Sequence, residues 1–251
     1  MRFGIASYQR IDKLHSLKTL KDMGYGKDEI IVATQTEDDY KAYSSEFGKA
    51  ATIIYRYGTN VGVNRNTVLN YMNPGEELFF IDDDVRAFER LVEIEGKKSL
   101  RVIGTRAELE AIASRQFAFC RKANSPWFAW YPTENAFFMS KTVHTRNIFC
   151  ATVLGVVNHP DIRFDERYTL KEDYDISLRL IEEGYNAVRF NGYTAKASHY
   201  VRGGCWEARE NGQERVRCRN LLERYPGLVQ PHATRENEVK YVGPTKKLAY
   251  E

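Results

Sequence analysis

Cysteine is scarce and poorly spaced for cross-linking. The 251 residues hold four, Cys120, Cys150, Cys205 and Cys218. None forms a C-x-x-C pair, so neither a zinc knuckle nor a disulfide framework is indicated. Long apolar runs are also missing. The longest, Ile148 to Val157, falls far short of the roughly 20 residues that span a bilayer. The opening Met1 to Ala6 is too short for the apolar core of a signal peptide. A soluble, cytoplasmic chain with no membrane partner is the expectation. No G-x-G-x-x-G follows the first predicted strand, which argues against a dinucleotide enzyme. Nor does either charge dominate: a net +3 and a pI near 8.5 permit an anionic partner without requiring one.

What the chain does have is Leu78-Phe79-Phe80-Ile81 running directly into Asp82-Asp83-Asp84-Val85. Four large apolar residues in a row read as a strand buried on both faces. Three carboxylates crowded where such a strand leaves its sheet repel one another until a cation neutralises them. Hard oxygen donors of this kind suit Mg²⁺ or Mn²⁺, which bridge to substrate phosphates. An acidic surface turn is the plainer alternative for the three aspartates alone; the buried strand before them favours a site.

Around this stretch strand and helix alternate. Arg2 to Ala6, Glu29 to Ala33 and Ala51 to Tyr55 read as strands, with helices over Ile11 to Leu20 and Tyr40 to Phe47. Such alternation predicts parallel βαβ units in one α/β domain. The segment Gly58 to Leu69 is rich in glycine and asparagine and opens a further helix. Exposed N–H groups there, with Arg65 in the first turns, would suit a diphosphate; an ordinary glycine-rich turn is the other reading.

Beyond Val85, Phe88 to Glu93 and Leu100 to Ile103 are expected to pair, and Thr105 to Glu108 is a capping box for a helix reaching Lys122. Ala136 to Met139 and Ala151 to Leu154 read as strands. From Arg86 to Arg146 eleven Lys or Arg face six Asp or Glu, an excess of five, interleaved with Trp127, Phe128, Trp130 and Tyr131. Basic charge with aromatics is one way to hold nucleic acid, although tryptophan clusters are commonly core. Farther on, Glu172 and Asp173 open a helix carrying Tyr174, Leu178 and Ile181, where a carboxylate can cap the helix, take a proton from an acceptor hydroxyl, or do both. His199 ends a last predicted strand before Gly203-Gly204-Cys205-Trp206 and has the chemistry to ligate a metal as neutral imidazole. Glu207 to Tyr225 reads as a solvated helix, and 226–251 as an extended tail.

Taken together, the acidic strand end, the Glu-Asp pair and the later histidine resemble the GT-A nucleotide-sugar glycosyltransferases, over roughly residues 1–205. A closer likeness, carried by Ile5-Ala6-Ser7-Tyr8-Gln9-Arg10, Gly62-Val63-Asn64-Arg65-Asn66, Phe80 to Val85, and His199 with Gly203-Gly204-Cys205, is to the TET-associated glycosyltransferases of bacteriophages. The resemblance implies a Rossmann-like GT-A domain with a mixed, mostly parallel sheet flanked by helices. It further implies a donor half at 1–85, an acceptor half at 86–225 and a tail at 226–251. It implies metal ligation by Asp82, Asp84 and His199, and Mn²⁺ or Mg²⁺ with a UDP-sugar as cofactors. Donor contacts are expected from Ala6, Ser7, Tyr8, Arg10, Thr34, Gln35, Arg65, Asp82 and Asp83. Catalysis is expected from Asp173 and Glu172, and acceptor contacts from Trp130, Gly203, Gly204 and Trp206. The implied acceptor is the hydroxymethyl group of 5-hydroxymethylcytosine or 5-hydroxymethyluracil in phage DNA. A saccharide, protein or small-molecule acceptor, a metal-dependent phosphohydrolase and a nucleotide-binding regulator are the rival readings.

Overall fold

The computed structural model describes residues 1–58, 60–150, 152–197 and 211–250. A nine-stranded sheet forms its centre, in the order β14-β8-β10-β7-β9-β4-β1-β2-β3. The strands nearest the acidic stretch are β1 (Arg2–Ala6), β2 (Ile30–Thr34), β3 (Thr52–Tyr55) and β4 (Glu77–Asp82), all mutually parallel. On the other side of β4 run β9 (Val153–Val157), β7 (Trp127–Trp130), β10 (Val188–Phe190), β8 (Thr142–His144) and β14 (Lys247–Ala249). Only β9 and β8 oppose the common direction. The sheet is therefore mixed and mostly parallel, as the alternating pattern predicts.

Period-two alternation sorts the apolar residues onto two faces. Phe3, Ile5, Phe79, Ile81, Phe128 and Trp130 face one layer, made of α1 (His15–Asp22), α2 (Glu37–Phe47) and α4 (Arg106–Lys122). Leu78, Phe80, Trp127, Ala129 and Leu154 face α3 (Val61–Tyr71) and α5 (Glu172–Glu182) on the other side. Burial on both faces explains why Leu78 to Ile81 is apolar without interruption. At the β9–β7 pairing Gly155 lies opposite Phe128. A Cβ on Gly155 would sit 2.0 Å from the Phe128 ring, so this close approach of ring to backbone requires glycine.

A second sheet, β11-β5-β6, is built from β5 (Ala87–Ile94), β6 (Lys97–Val102) and β11 (Tyr193–Lys196). Its β5–β6 hairpin is the expected pairing across Glu95–Gly96. Thr105 caps α4 by accepting from Glu108 N at 3.2 Å. Two expectations are corrected. Ala136 to Met139 is a turn, held by Phe138 N donating to Asn135 O, because its backbone groups are taken up by Asn135 and by Lys98 rather than by a neighbouring strand. The expected extended tail instead folds back. A hairpin, β12 (Val229–Pro231) with β13 (Val239–Tyr241), packs on α6 (Gln213–Arg224), and β14 completes one edge of the main sheet.

Among the described residues no helix is long and apolar enough to cross a membrane.

Candidate active site

Because most strands share one direction, their carboxyl ends line one edge of the sheet, where open α/β folds place ligands. Ser7 to Arg10 leave β1 there, Thr34 and Gln35 leave β2, and Asp82 to Asp84 leave β4. The acidic turn is clamped by the first turn of α1. Ser16 Oγ donates to Asp82 O and accepts from Val85 N at 2.8 Å. Ser16 N donates to Asp83 O at 3.1 Å, and Thr19 Oγ1 donates to Val85 O at 3.0 Å.

Within this clamp the three aspartates have separate environments. Asp83 turns inward: it accepts from Ser7 Oγ at 2.9 Å and from Arg10 Nη1 at 2.6 Å. Tyr43 OH supports both partners, 2.9 Å from Ser7 Oγ and 3.0 Å from Arg10 N. Burial pushes the Asp83 carboxyl up while Arg10 and Ser7 pull it down. Asp84 lies 3.7 Å from Arg10 Nη1. Asp82 lies 3.5 Å from Arg65 Nη2. Although 43 % of its side chain stays open, desolvation by the surrounding wall, followed by Asp84, Asp83 and Glu172, pushes its carboxyl up to about 8 against the pull of Arg65.

Arg65 is the hinge of the constellation. Its Nη1 contacts Glu172 Oε1 at 2.7 Å, both side chains being buried, and its guanidinium lies 5.3 Å from the Phe164 ring centroid. The start of α3 is not the open anion cradle that its glycines and asparagines imply. Asn60 Oδ1 takes Val63 N at 3.1 Å, and residues 62–66 are buried. Asn60 Nδ2 donates to Glu166 O at 2.7 Å. Asn66 exchanges bonds of 2.9 Å with the Phe164 backbone, and Arg56 holds Glu166 at 2.6 Å. These side chains staple the loop before α5 onto α3. Helix α5 itself starts without a side-chain cap, at Lys171 in the left-handed region (φ 61°). Lys171 Nζ and Tyr174 OH both reach Glu238 of the C-terminal hairpin, at 2.9 and 2.8 Å. Asp173 Oδ1 accepts from Tyr174 N at 2.9 Å.

Ala6 pairs with Ala33 and Asp82 at the strand ends, and Tyr8 OH accepts from Gln9 Nε2 beside it. Gln35 is buried, its carbonyl taken by Gly58 N. Thr34 is wholly buried, and its hydroxyl donates to Ile54 O at 3.4 Å; it has no surface for a nucleotide. Trp130 is a second correction. It is fully buried among Phe79, Phe88 and Tyr193, with Nε1 donating to Gln116 at 2.8 Å. No base can stack on it, because β7 is covered on both faces and all four of its residues are buried. His199, Gly203, Gly204, Cys205 and Trp206 lie outside the described residues. Ser16, Tyr43, Asn60 and Asn66 carry the site's framework without having been singled out. Only the last two left a trace, as the asparagines of the Gly58 to Leu69 stretch.

A family model for TET-associated glycosyltransferases matches residues 3–204. The chain belongs to that family. This member is accordingly a glycosyltransferase. No curated protein matches it. Among solved structures it is similar to apo-UDP-glucose pyrophosphorylase, with 9 % identity over 86 % of this chain and 99 % of that one, at a TM-score of 0.42.

For a divalent ion the donor set is the test. Among the described residues no group of three His, Cys, Asp or Glu side chains could hold one unaided. A hard cation that keeps waters and shares a diphosphate needs only one or two carboxylates. Asp82, whose side chain is 43 % open at the strand end, and Asp84 two residues on supply two such carboxylates.

Proposed function

We propose that this glycosyltransferase moves a sugar from a UDP-sugar to the hydroxymethyl group of a 5-hydroxymethylpyrimidine in DNA. The observation carrying the reading is the bridge through Arg65. One guanidinium lies 3.5 Å from Asp82 and 2.7 Å from Glu172, so the acidic turn and the first turn of α5 form one site.

Asp82 and Asp84 would hold Mn²⁺ or Mg²⁺, which when bound supplies positive charge to the leaving diphosphate. Arg65 adds fixed positive charge beside it, oriented by Glu172. Glu172 is held by that ion pair, and its neighbour Asp173, in the first turn of α5, would be the proton acceptor. The hydroxyl oxygen bonds to the anomeric carbon as the bond from that carbon to the diphosphate oxygen breaks. The hydroxyl proton passes to the Asp173 carboxylate. Ser7, Arg10 and Asp83 keep the floor of the site rigid.

The test is incubation with UDP-sugars, Mn²⁺ or Mg²⁺, and plain or hydroxymethylated DNA, read by nucleoside mass spectrometry. Transfer is expected only to hydroxymethylated DNA, to cease with EDTA, and to be lost in Asp84→Asn. Transfer to a free sugar or a protein with the DNA untouched would leave a glycosyltransferase of another acceptor class.

A further inference from the structure

The segment following β7, Tyr131 to Lys141, leaves the same edge of the sheet as the acidic turn. β7 and β4 are separated by β9 alone, so the two strand ends are about 10 Å apart at the usual inter-strand spacing. At the tip of this segment Phe137 and Phe138 are 77 % and 64 % exposed. Their rings meet edge to face, with centroids 5.0 Å apart. Two adjacent phenylalanines held in solvent are unusual where single exposed apolar residues are not.

The turn carrying them is firmly anchored. Met139 is fully buried directly after the pair. Lys98 Nζ, from the neighbouring hairpin, donates to Phe137 O at 3.3 Å and Met139 O at 2.7 Å. Asn135 Oδ1 accepts from Phe137 N at 3.1 Å. Tyr131 N bonds Tyr193 O at one end of the segment, and Ser140 N bonds Asn191 O at the other. The rings are thus presented on a fixed base and do not simply dangle from a loose loop. Lys98 spends its hydrogen bonds on these carbonyls and has Glu93 opposite it across the β5–β6 pairing, whereas Lys141 is exposed and forms no salt bridge among the described residues. Glu134 is the acidic residue of the segment, on the side away from Lys141 in sequence.

An apolar aromatic tip with a cation at its root matches a DNA duplex opened at one base step. The rings would enter between bases, and exposed Lys141 would meet a flanking phosphate. Resting on the DNA-acceptor reading above, we infer that Phe137 and Phe138 form a wedge that unstacks the duplex beside the target nucleotide and so delivers its hydroxymethyl group to the acidic edge. Enzymes acting on bases commonly extrude them from the stack. The wedge takes the aromatic role that the sequence assigned to Trp130.

The experiment uses the full chain and a duplex with one 5-hydroxymethylpyrimidine next to 2-aminopurine, whose fluorescence rises on unstacking. Wild-type protein should raise the fluorescence and glycosylate the duplex. Phe137→Ala/Phe138→Ala should abolish the rise and increase KM for duplex about ten-fold or more, since each lost base stack is worth roughly that factor. Phe137→Leu/Phe138→Leu, which keeps apolar bulk, should recover most of both. UDP binding by calorimetry shows that each variant is folded. An alanine variant that still unstacks and modifies the duplex like wild type overturns the wedge alone. A wild-type dimer that the alanine variant splits in sedimentation would assign the pair to a contact between copies, again overturning the wedge. Failure of wild type to modify hydroxymethylated DNA in any form overturns the acceptor reading itself.

Discussion

Arg65 Nη1 stands 2.7 Å from Glu172 Oε1, and this ion pair couples the helix after β3 to the helix before β10. Breaking a buried pair from one side strands the other charge and costs about 3–5 kcal/mol. Glu172→Ala should lose stability on that scale in denaturant titration. The double variant Arg65→Met/Glu172→Met should lose clearly less than the two single changes added together. Strict additivity would mean that the pair is not coupled.

Ser16 belongs to a helix on the far side of the acidic turn yet holds two of its backbone groups. Ser16→Ala leaves Val85 N buried and unpaired, a cost of about 1–3 kcal/mol. No carboxylate is removed, so donor affinity should nevertheless fall as the turn loosens. Calorimetry with UDP and Mn²⁺ would show unaltered affinity if the clamp had no bearing on the site.

Asp165 sets a pH dependence at the low end. Hydrogen bonds from Arg167, and then from Arg224, hold its carboxyl well below the ordinary value of 3.8 despite partial burial. Depression in the folded state means that the unfolded chain binds the proton first. The stability it contributes is therefore present above about pH 4 and lost as pH falls below that. Asp165→Asn should be less stable at pH 7 and show a shallower decline between pH 4 and pH 2. Parallel acid-denaturation curves for the two proteins would remove Asp165 from the account.

Trp130 offers the opposite test to a DNA contact. Its ring fills the core under α4, so Trp130→Ala should cost about 3–5 kcal/mol of stability. DNA affinity of the folded fraction, measured by anisotropy, should change little. A stable variant with weakened DNA binding would reverse the assignment.

Much of this fold was legible because burial dictates pattern. The uninterrupted Leu78 to Ile81 marked a strand covered on both faces, and Thr105 with Glu108 marked the start of α4. The acidic strand end and the Glu-Asp pair were visible for the same reason: charge beside a buried element demands an explanation. What escaped was long-range and polar. Nothing local distinguishes Ser16, which clamps a turn far along the chain, from any other helical serine. The Gly58 to Leu69 stretch fits a phosphate cradle or an ordinary glycine-rich turn by its sequence, whereas Asn60 and Asn66 spend their amides docking the Phe164 to Glu166 loop. Trp130 was misplaced because aromatic and basic composition does not reveal side-chain direction. Trp127–Trp130 is covered on both faces, so each of its side chains is buried whichever way it points. The C-terminal segment looked too polar to fold, yet Glu238 anchors the start of α5 through Lys171 and Tyr174.

The last strand carries a consequence for how the molecule is assembled. β8 is sandwiched between β10 and β14, and its pairing along Thr142–His144 with Lys247–Ala249 joins segments far apart in the chain. During synthesis the β8 edge emerges long before its partner does. In that interval it presents open N–H and C=O groups to any passing strand, and pairings of such sequence separation form slowly. Chains shortened before Lys247 should therefore aggregate through this edge more readily than the 251-residue chain.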